Sequence, residues 1–199
     1  VAASLLGHFA GAVSGGSLYR KSSFLLDALG RQVFAPHVRI SDAGRVPRGL
    51  GSSAFDDEGV ATRDRDIVTG GVLQGYFLGS YSARKLGMRS TGNAGGTHNL
   101  TLDSTGHDFA AMLRELGTGL LVTELLGQGI NMVTGDYSRG AAGFWVENGV
   151  IAYPVHEITV AGNLKDMFLG ITAIGNDVLA RSSRQCGSIL IDRMAVAGE

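Results

Sequence analysis

Cysteine is almost absent from this sequence, with Cys186 the only one among 199 residues. A single thiol excludes an internal disulfide framework and is typical of a protein from a reducing compartment. Long apolar runs are missing as well. No stretch approaches the roughly 20 apolar residues that a transmembrane helix requires, and the apolar start lacks the basic residues of a signal peptide. We therefore predict a cytoplasmic protein with no membrane segment.

No segment of the sequence has a concentration of either positive or negative charge. The 17 lysines and arginines nearly balance 18 acidic residues, for a formal net charge of −1. No basic run could follow a phosphate backbone, so direct nucleic-acid binding is disfavoured. The mixed-sign stretch 63–66 is interpreted as a solvated strand or turn face whose charges pair locally.

Self-contained catalytic motifs are missing too. The sequence has no Walker A loop, no HExxH, no nucleophile elbow and no paired CxxC. Gly92, Gly95 and Gly96 beside Asn93 resemble a phosphate-binding loop in glycine content alone, because the lysine and the serine or threonine of a P-loop are absent. A turn is the better interpretation of this segment.

Proline is scarce and glycine is abundant, with 3 prolines against 31 glycines. That glycine share is roughly twice the usual ~7%. The glycines are spread through apolar segments, which indicates bulges, tight turns and close backbone approach in a strand-rich domain. We predict one domain over residues 1–199.

Three amphipathic helices are predicted from apolar residues at helical spacing. Gly15-Gly16 ends the first, Asp108 and Gly117 flank the second, and the third follows Asn163. The last two are predicted to run about three turns each. The residues that define the three stripes are Leu5, Phe9, Ala12 and Val13; then Phe109, Met112, Leu113 and Leu116; then Leu164, Met167, Phe168 and Ile171.

Strand candidates outnumber these helices. The strongest local signal is Asn148-Gly149, because a two-residue type I′ turn needs positive φ at both positions and this pair tolerates it. Antiparallel strands with few intervening helices predict an α+β, mainly antiparallel domain, with a partly closed barrel or a sandwich-like arrangement. The candidate strands cover residues 65–68, 71–78, 119–126, 141–147, 150–158 and 188–194.

Four long blocks, spread in the right order over almost the whole chain, resemble one family. They are LLGHFAGAVSGGSLYRKSSFL, GVLQGYFLGSYSARKLGMRSTGNAGGTHNL, TGDYSRGAAGFWVENGVIAYPVHEITVAGNL and QCGSILIDRMAVAG. Together they resemble the C-terminal part of the TldD/PmbA family, also called modulators of DNA gyrase, and within it the PmbA or TldE branch. The family's N-terminal domain is missing, and the first residue is Val1, so we expect the chain to begin partway through a longer protein.

The resemblance also locates a degenerate metal motif in the opening helix. In the TldD branch this helix carries HExxxH, whose histidines bind zinc and whose glutamate is the general base. The family pattern places Gly7 at the first histidine, His8 at the glutamate and Ala12 at the second histidine. No catalytic residue is therefore expected in this chain.

Cys186 is the residual metal candidate, since it matches the region of the family's third ligand. One thiolate with at best one imidazole from His8 is too few donors for zinc, which normally takes three or four from the protein. His8 is interpreted as a packed or solvent-facing residue. We expect no metal in this chain and expect zinc in a catalytic partner.

The remaining histidines are scattered through different predicted elements. His98, in the glycine-rich block, and the nearby Asn93 are candidates for lining a peptide-binding cleft. His37, His107 and His156 are interpreted as hydrogen-bonded surface or core residues.

The function implied by the resemblance depends on a partner. TldE-type subunits pair with a TldD-type catalytic subunit, and the complex degrades unstructured peptides, among them a peptide antibiotic precursor and an antitoxin. The resemblance implies a non-catalytic subunit of that kind, which could form a homodimer when alone. Two alternatives stay open: a metallopeptidase in its own right with non-standard ligands, and a β-rich peptide-binding module unrelated to proteolysis.

Overall fold

Five helices and eleven strands are distributed over residues 1–198, the part of the chain that the computed structural model describes. The helices are α1 (Ala2–Ala12), α2 (Gly15–Tyr19), α3 (Ser80–Lys85), α4 (Phe109–Leu116) and α5 (Leu164–Leu169). The strands are β1 (Ile40–Ala43), β2 (Arg65–Thr69), β3 (Val72–Leu73), β4 (Asn99–Leu102), β5 (Gly119–Leu126), β6 (Asp136–Glu147), β7 (Val150–Asn163), β8 (Ile171–Ile174), β9 (Arg184–Gln185), β10 (Ile189–Ile191) and β11 (Ala195–Ala197).

The strands form three sheets. Their orders are β3-β2-β1-β4-β9, β10-β8 and β11-β7-β6-β5. Every pair within them is antiparallel except β4 with β9, which is parallel. The predicted α+β, mainly antiparallel class is confirmed, and the sheets of residues 1–198 do not close into a barrel.

The β6–β7 hairpin confirms the strongest sequence signal. Glu147 pairs with Val150 across a turn in which Asn148 has φ 52° and Gly149 has φ 76°. The turn also packs on a helix, because a Cβ at Gly149 would lie 3.0 Å from the Cα of Arg114 in α4. Both strands extend further than predicted, so this hairpin is the longest feature of the fold.

The helix ends are partly as predicted. Asp108 caps α4 by accepting a hydrogen bond from the Ala111 N–H at 2.6 Å, and Gly117 ends it with φ 63°. Gly15 follows α1 as expected, yet it also begins α2, for which Ser14 is the capping side chain.

Helices α4 and α5 are shorter than the predicted three turns, and α5 differs most from its prediction. It ends at Leu169 because the next residue bonds to a distant segment: the Gly170 carbonyl accepts a hydrogen bond from the Asp192 N–H at 2.9 Å. Ile171 therefore begins β8, which pairs with β10. Tertiary pairing overrides the helical spacing here.

Two predicted strands were too long. In segment 71–78 only Val72–Leu73 is a strand, because the chain then leaves the sheet and Phe77 exchanges backbone hydrogen bonds with Val13 and Gly15. Segment 188–194 contains β10 but breaks before β11, which joins a different sheet. The alternation of apolar residues did not show where the chain leaves the sheet in either segment.

The core lies beneath α1. Phe9 is fully buried, and its ring packs edge-on against Phe34 and Phe168 with centroid distances of 5.0 and 6.1 Å. Phe34 and Phe168 stack on each other at 4.4 Å. These contacts fix the orientation of α1, the helix that carries the degenerate motif.

Candidate functional site

Gly7 lies on the half-buried part of α1 that faces β9. A Cβ at Gly7 would lie 3.0 Å from Nη1 of Arg184 and 3.7 Å from its Cζ. Parallel pairing of β9 with β4 places β9 against α1 and brings this guanidinium there. The position that matches the first family histidine therefore faces a cation instead of supplying a metal ligand.

Ala12, which matches the second histidine, is part of the core. It is the last residue of α1 and is fully buried. Its carbonyl accepts a hydrogen bond from the Ser23 hydroxyl at 2.6 Å, which ties the helix end to the following loop. A side chain larger than alanine would have to displace packed neighbours at this position.

His8, at the position of the family's catalytic glutamate, is half-buried. Its Nε2 is buried and has no hydrogen-bond partner among residues 1–198. Burial lowers the pKa of His8, and the charges of Arg139 and Arg184 lower that pKa further. The imidazole is therefore neutral around pH 7, with the Tyr137 ring edge-on at 6.2 Å.

Strand β6 supplies the other half of this site. Tyr137 and Arg139 lie two residues apart and so share one face of the strand. The Arg139 guanidinium donates to the carbonyls of Leu125 and Leu126 at 3.3 and 3.5 Å, which holds it on β5. Burial raises the pKa of Tyr137, so its hydroxyl stays protonated.

We call His8, Tyr137, Arg139 and Arg184 the basic cluster. It joins α1, β6 and β9, which are far apart in sequence, at the position where the TldD branch is expected to hold zinc. The sequence interpretation missed Arg139 and Arg184, because no local motif links them to His8. The cluster is suited to bind an anion rather than a cation.

Cys186 follows the cluster by two residues and is a poor metal ligand. Its side chain is partly buried against the core, and burial raises its pKa to about 11. The thiol is thus protonated at neutral pH, whereas metal coordination needs the thiolate. Among residues 1–198 no three histidine, cysteine or acidic side chains are grouped to hold a metal. The residues present do not fit the family's zinc ion.

Asn93 and His98 belong to a buried hydrogen-bond network. The two carboxylate oxygens of Asp42 accept from Asn93 Nδ2 at 2.9 Å and from the His98 N–H at 2.8 Å. His98 Nε2 also contacts the Gly92 carbonyl at 2.8 Å. These contacts join the glycine-rich turn to β1, and a cleft-lining role for either residue stays a prediction.

The charges of segment 63–66 do not pair locally as predicted. The half-buried Arg65 donates to Asn93 Oδ1 at 2.8 Å, and Asp66 forms a salt bridge with Arg39 at 2.6 Å. Asp64 accepts from the Gly44 N–H at 2.9 Å. Because β2 lies between two strands, its charged side chains meet residues distant in sequence.

Comparison with known proteins identifies the family. Residues 1–198 match the family described as the PmbA/TldA metallopeptidase C-terminal domain. The chain belongs to the PmbA/TldD family. It is 57% identical over 199 residues to "Metalloprotease PmbA" of Escherichia coli O157:H7 and equally similar to a "Metalloprotease PmbA homolog" of Haemophilus influenzae. The chain spans 44% of the length of each of these curated relatives.

Solved structures agree with this family assignment. A protein from Bacteroides thetaiotaomicron, described as a candidate modulator of DNA gyrase, superposes with a TM-score of 0.93 at 32% identity, covering 98% of this chain and 44% of that one. TldE from Thermococcus kodakarensis superposes with a TM-score of 0.86 over 98% of this chain and 48% of that one. At 23% identity, that second likeness shows the shared fold.

This PmbA/TldD-family domain also has a surface groove that the sequence did not predict. The groove has a volume of about 610 Å³ and lies between the end of β7, α5 and β11. Met167 and Met194 line its apolar side, and Asp166, Asp192 and Arg193 line its polar side. Its walls come from segments that meet only in the folded chain.

A second unpredicted feature of the family domain is the exposed start of β7. Val150 is 67% exposed, Ile151 41% and Tyr153 50%. Neighbouring strand residues point to opposite faces, so both faces of the hairpin tip present apolar side chains to solvent. Exposed apolar side chains grouped at one end of a hairpin are a candidate interaction surface.

Proposed function

We propose that this chain is the C-terminal part of a non-catalytic TldE/PmbA-type subunit in a heteromeric zinc metallopeptidase. The observation that carries the proposal is the state of α1: Gly7 faces the Arg184 guanidinium, and Ala12 is sealed in the core. Metal-assisted peptide hydrolysis needs a bound metal to activate water and a positioned base. The zinc and the base would then come from a TldD-type partner.

The exposed start of β7 supports a subunit interface at the hairpin tip. Stable interfaces combine an apolar centre with a polar rim, and the exposed Val150, Ile151 and Tyr153 would form such a centre. In the absence of the partner, the same surface would allow a homodimer. We propose that the hairpin tip contacts the catalytic subunit.

Unstructured peptides are the proposed substrates. Strands β5 and β11 are the two edges of their sheet, and the groove borders β11. An extended peptide can add to such an edge through main-chain hydrogen bonds, with little dependence on its sequence. The near-neutral charge gives no support for direct DNA binding, so the gyrase-related description of one structural relative is more simply explained by turnover of a protein that acts on gyrase.

The decisive experiment assays each subunit alone and then both together on an unstructured peptide. We expect this protein alone to be inert even with added zinc, and the mixture to cleave the peptide in a chelator-sensitive way. A partner whose HExxxH glutamate is replaced by glutamine is the control. Cleavage that persists in the mixture with this disabled partner would place catalysis in this chain and overturn the proposal.

A metallopeptidase in its own right is the second candidate, because relatives 57% identical to this chain are named metalloproteases. This alternative predicts one tightly held zinc per chain in elemental analysis, lost in Cys186→Ala. The first proposal predicts no stoichiometric zinc. A binding module unrelated to proteolysis would instead fail to copurify with any HExxxH-bearing relative.

A further inference from the structure

The basic cluster concentrates positive charge without a compensating carboxylate. Within residues 1–198 the salt bridges are those of Arg39 with Asp66 and Asp103. In the same part of the chain, neither Arg139 nor Arg184 has an acidic partner within salt-bridge distance. Arg184 nevertheless lies against Gly7, the neighbour of His8 in α1, and Arg139 shares a face of β6 with Tyr137, whose ring packs edge-on against His8.

The His8 imidazole adds a second, independent indication. Its Nε2 is buried and has no partner among the described residues. Buried polar atoms without a partner are rare in folded proteins, and each one needs an explanation such as a bound ligand or water. A water molecule or ion enclosed at the cluster would supply the missing partner.

The two arginines are held differently. Arg139 is held on the β5 carbonyls of Leu126 and Leu125 through Nε and Nη2. Arg184 is exposed, and its guanidinium lies in the space that a side chain at Gly7 would take. One guanidinium group that is held in place and one that is accessible to solvent suit a ligand that enters from solvent.

We propose that the basic cluster binds a carboxylate group of the peptide, so that an anion site stands where the catalytic branch holds zinc. This inference rests on the proposed function, because it takes the ligand to be a peptide. Arginine forks match the planar carboxylate with two parallel hydrogen bonds. The carboxylate comes either from the peptide C-terminus or from an acidic side chain.

The test measures binding of labelled unstructured peptides to the purified full-length protein by fluorescence anisotropy. Three peptides are compared: one with a free C-terminal carboxylate and no acidic residue, its C-terminal amide, and the amide with one internal glutamate. We expect the amide without glutamate to bind at least tenfold more weakly than one of the other two. Whichever of the two binds tightly identifies the source of the carboxylate.

Variants then assign this preference to the cluster. Arg184→Gln and Arg139→Gln should each remove most of the carboxylate preference, so that the three peptides bind with similar affinity, and Arg184→Lys should retain part of it. Arg181→Gln, an exposed arginine three residues away, is the matched control and should bind like the wild type. Circular dichroism and thermal melting confirm that each variant is folded.

Three results would overturn the inference: no difference among the three peptides, a preference that survives both glutamine variants, or inorganic phosphate binding more tightly than any peptide carboxylate. The proposed function is tested separately, since cleavage by the mixed subunits does not depend on this preference. A mixture that cleaves peptide without any carboxylate preference would contradict the inference alone.

Discussion

Ala12 limits any attempt to rebuild the metal motif in α1. Ala12→His would force a larger polar side chain into the fully buried end of α1, which we expect to cost about 2–4 kcal/mol of folding free energy through overpacking and an unsatisfied ring nitrogen. Urea denaturation measures this loss. Gly7→His is the control, because only the flexible end of Arg184 has to move. Equal stability of both variants would contradict the buried role of Ala12.

The same residue explains why the triple variant Gly7→His, His8→Glu, Ala12→His should not regain peptidase activity. A destabilised helix end cannot hold a ligand within the narrow geometry that zinc requires. The outer residues that orient zinc ligands would also have to be restored.

Cys186 should react slowly in the native protein. Its pKa of about 11 leaves very little thiolate at neutral pH, and alkylation proceeds through the thiolate. We expect iodoacetamide labelling at pH 7.5 to be much slower in the folded than in the urea-unfolded protein. Labelling of the folded protein should rise as pH approaches 11. Rapid stoichiometric labelling of the folded protein at neutral pH would show that the thiol is not shielded.

The Cys186 thiol also predicts the direction of a stability change. The unfolded thiol titrates near 9.0 and the folded one near 11, so the unfolded state loses its proton first as pH rises. This residue's contribution to stability is therefore present below pH 9 and declines towards pH 11. Cys186→Ala removes this part of the alkaline decline.

At the level of elements, the β6–β7 turn offers a test with a matched control. Gly149→Ala places a Cβ at positive φ and 3.0 Å from Arg114 Cα in α4. Gly127→Ala also has positive φ, at 73°, but its Cβ would meet nothing within 4 Å. An alanine in the left-handed region of backbone conformation costs about 1 kcal/mol. We therefore expect both variants to lose stability in denaturant unfolding, and Gly149→Ala to lose more than Gly127→Ala. Equal losses of stability in the two variants would mean that the turn at Gly149 does not pack against α4.

Helix ends and turns that are set by neighbouring residues could be predicted from the sequence. Asp108 and Gly117 bound α4 because caps act over three or four residues, and Asn148-Gly149 sets the hairpin because its turn needs only those two φ values. The short β9 had no such signal. Its two residues become a strand only by pairing with β4, more than 80 positions earlier in the chain.

At the level of the whole molecule, the resemblance predicted what the site has lost but not what replaced it. The resemblance places Gly7 and Ala12 at two metal-ligand positions, and neither side chain has a donor atom. The contacts of Arg184 with Gly7 and of Tyr137 with His8 depend on β9 and β6 both meeting α1 in the folded chain. A basic cluster assembled from three distant segments leaves no periodic or motif signal in sequence.

Assembly with a catalytic partner, which the proposed function requires, can be tested at the tip of the β6–β7 hairpin. Exposed Val150 and Tyr153 lie on one face near the tip of the β6–β7 hairpin, because they pair with Glu147 and Trp145, and in a monomer both would stay in contact with water. Tyr153→Asp should weaken the heteromer at least tenfold, or by about 1.4 kcal/mol, because a charge would be buried in the apolar centre of the interface. Thr159→Asp, at an exposed position further along the same strand, is the control.

Size-exclusion chromatography with light scattering, followed by a titration of the partner, measures the effect of Tyr153→Asp. We expect the variant to melt at the temperature of the wild type, because Tyr153 is half exposed and lies outside the core. Chelator-sensitive peptide cleavage in the mixture should fall in step with the loss of heteromer. If the variant binds its partner as tightly as the wild type does, the subunits meet elsewhere, and the exposed start of β7 must serve a different contact.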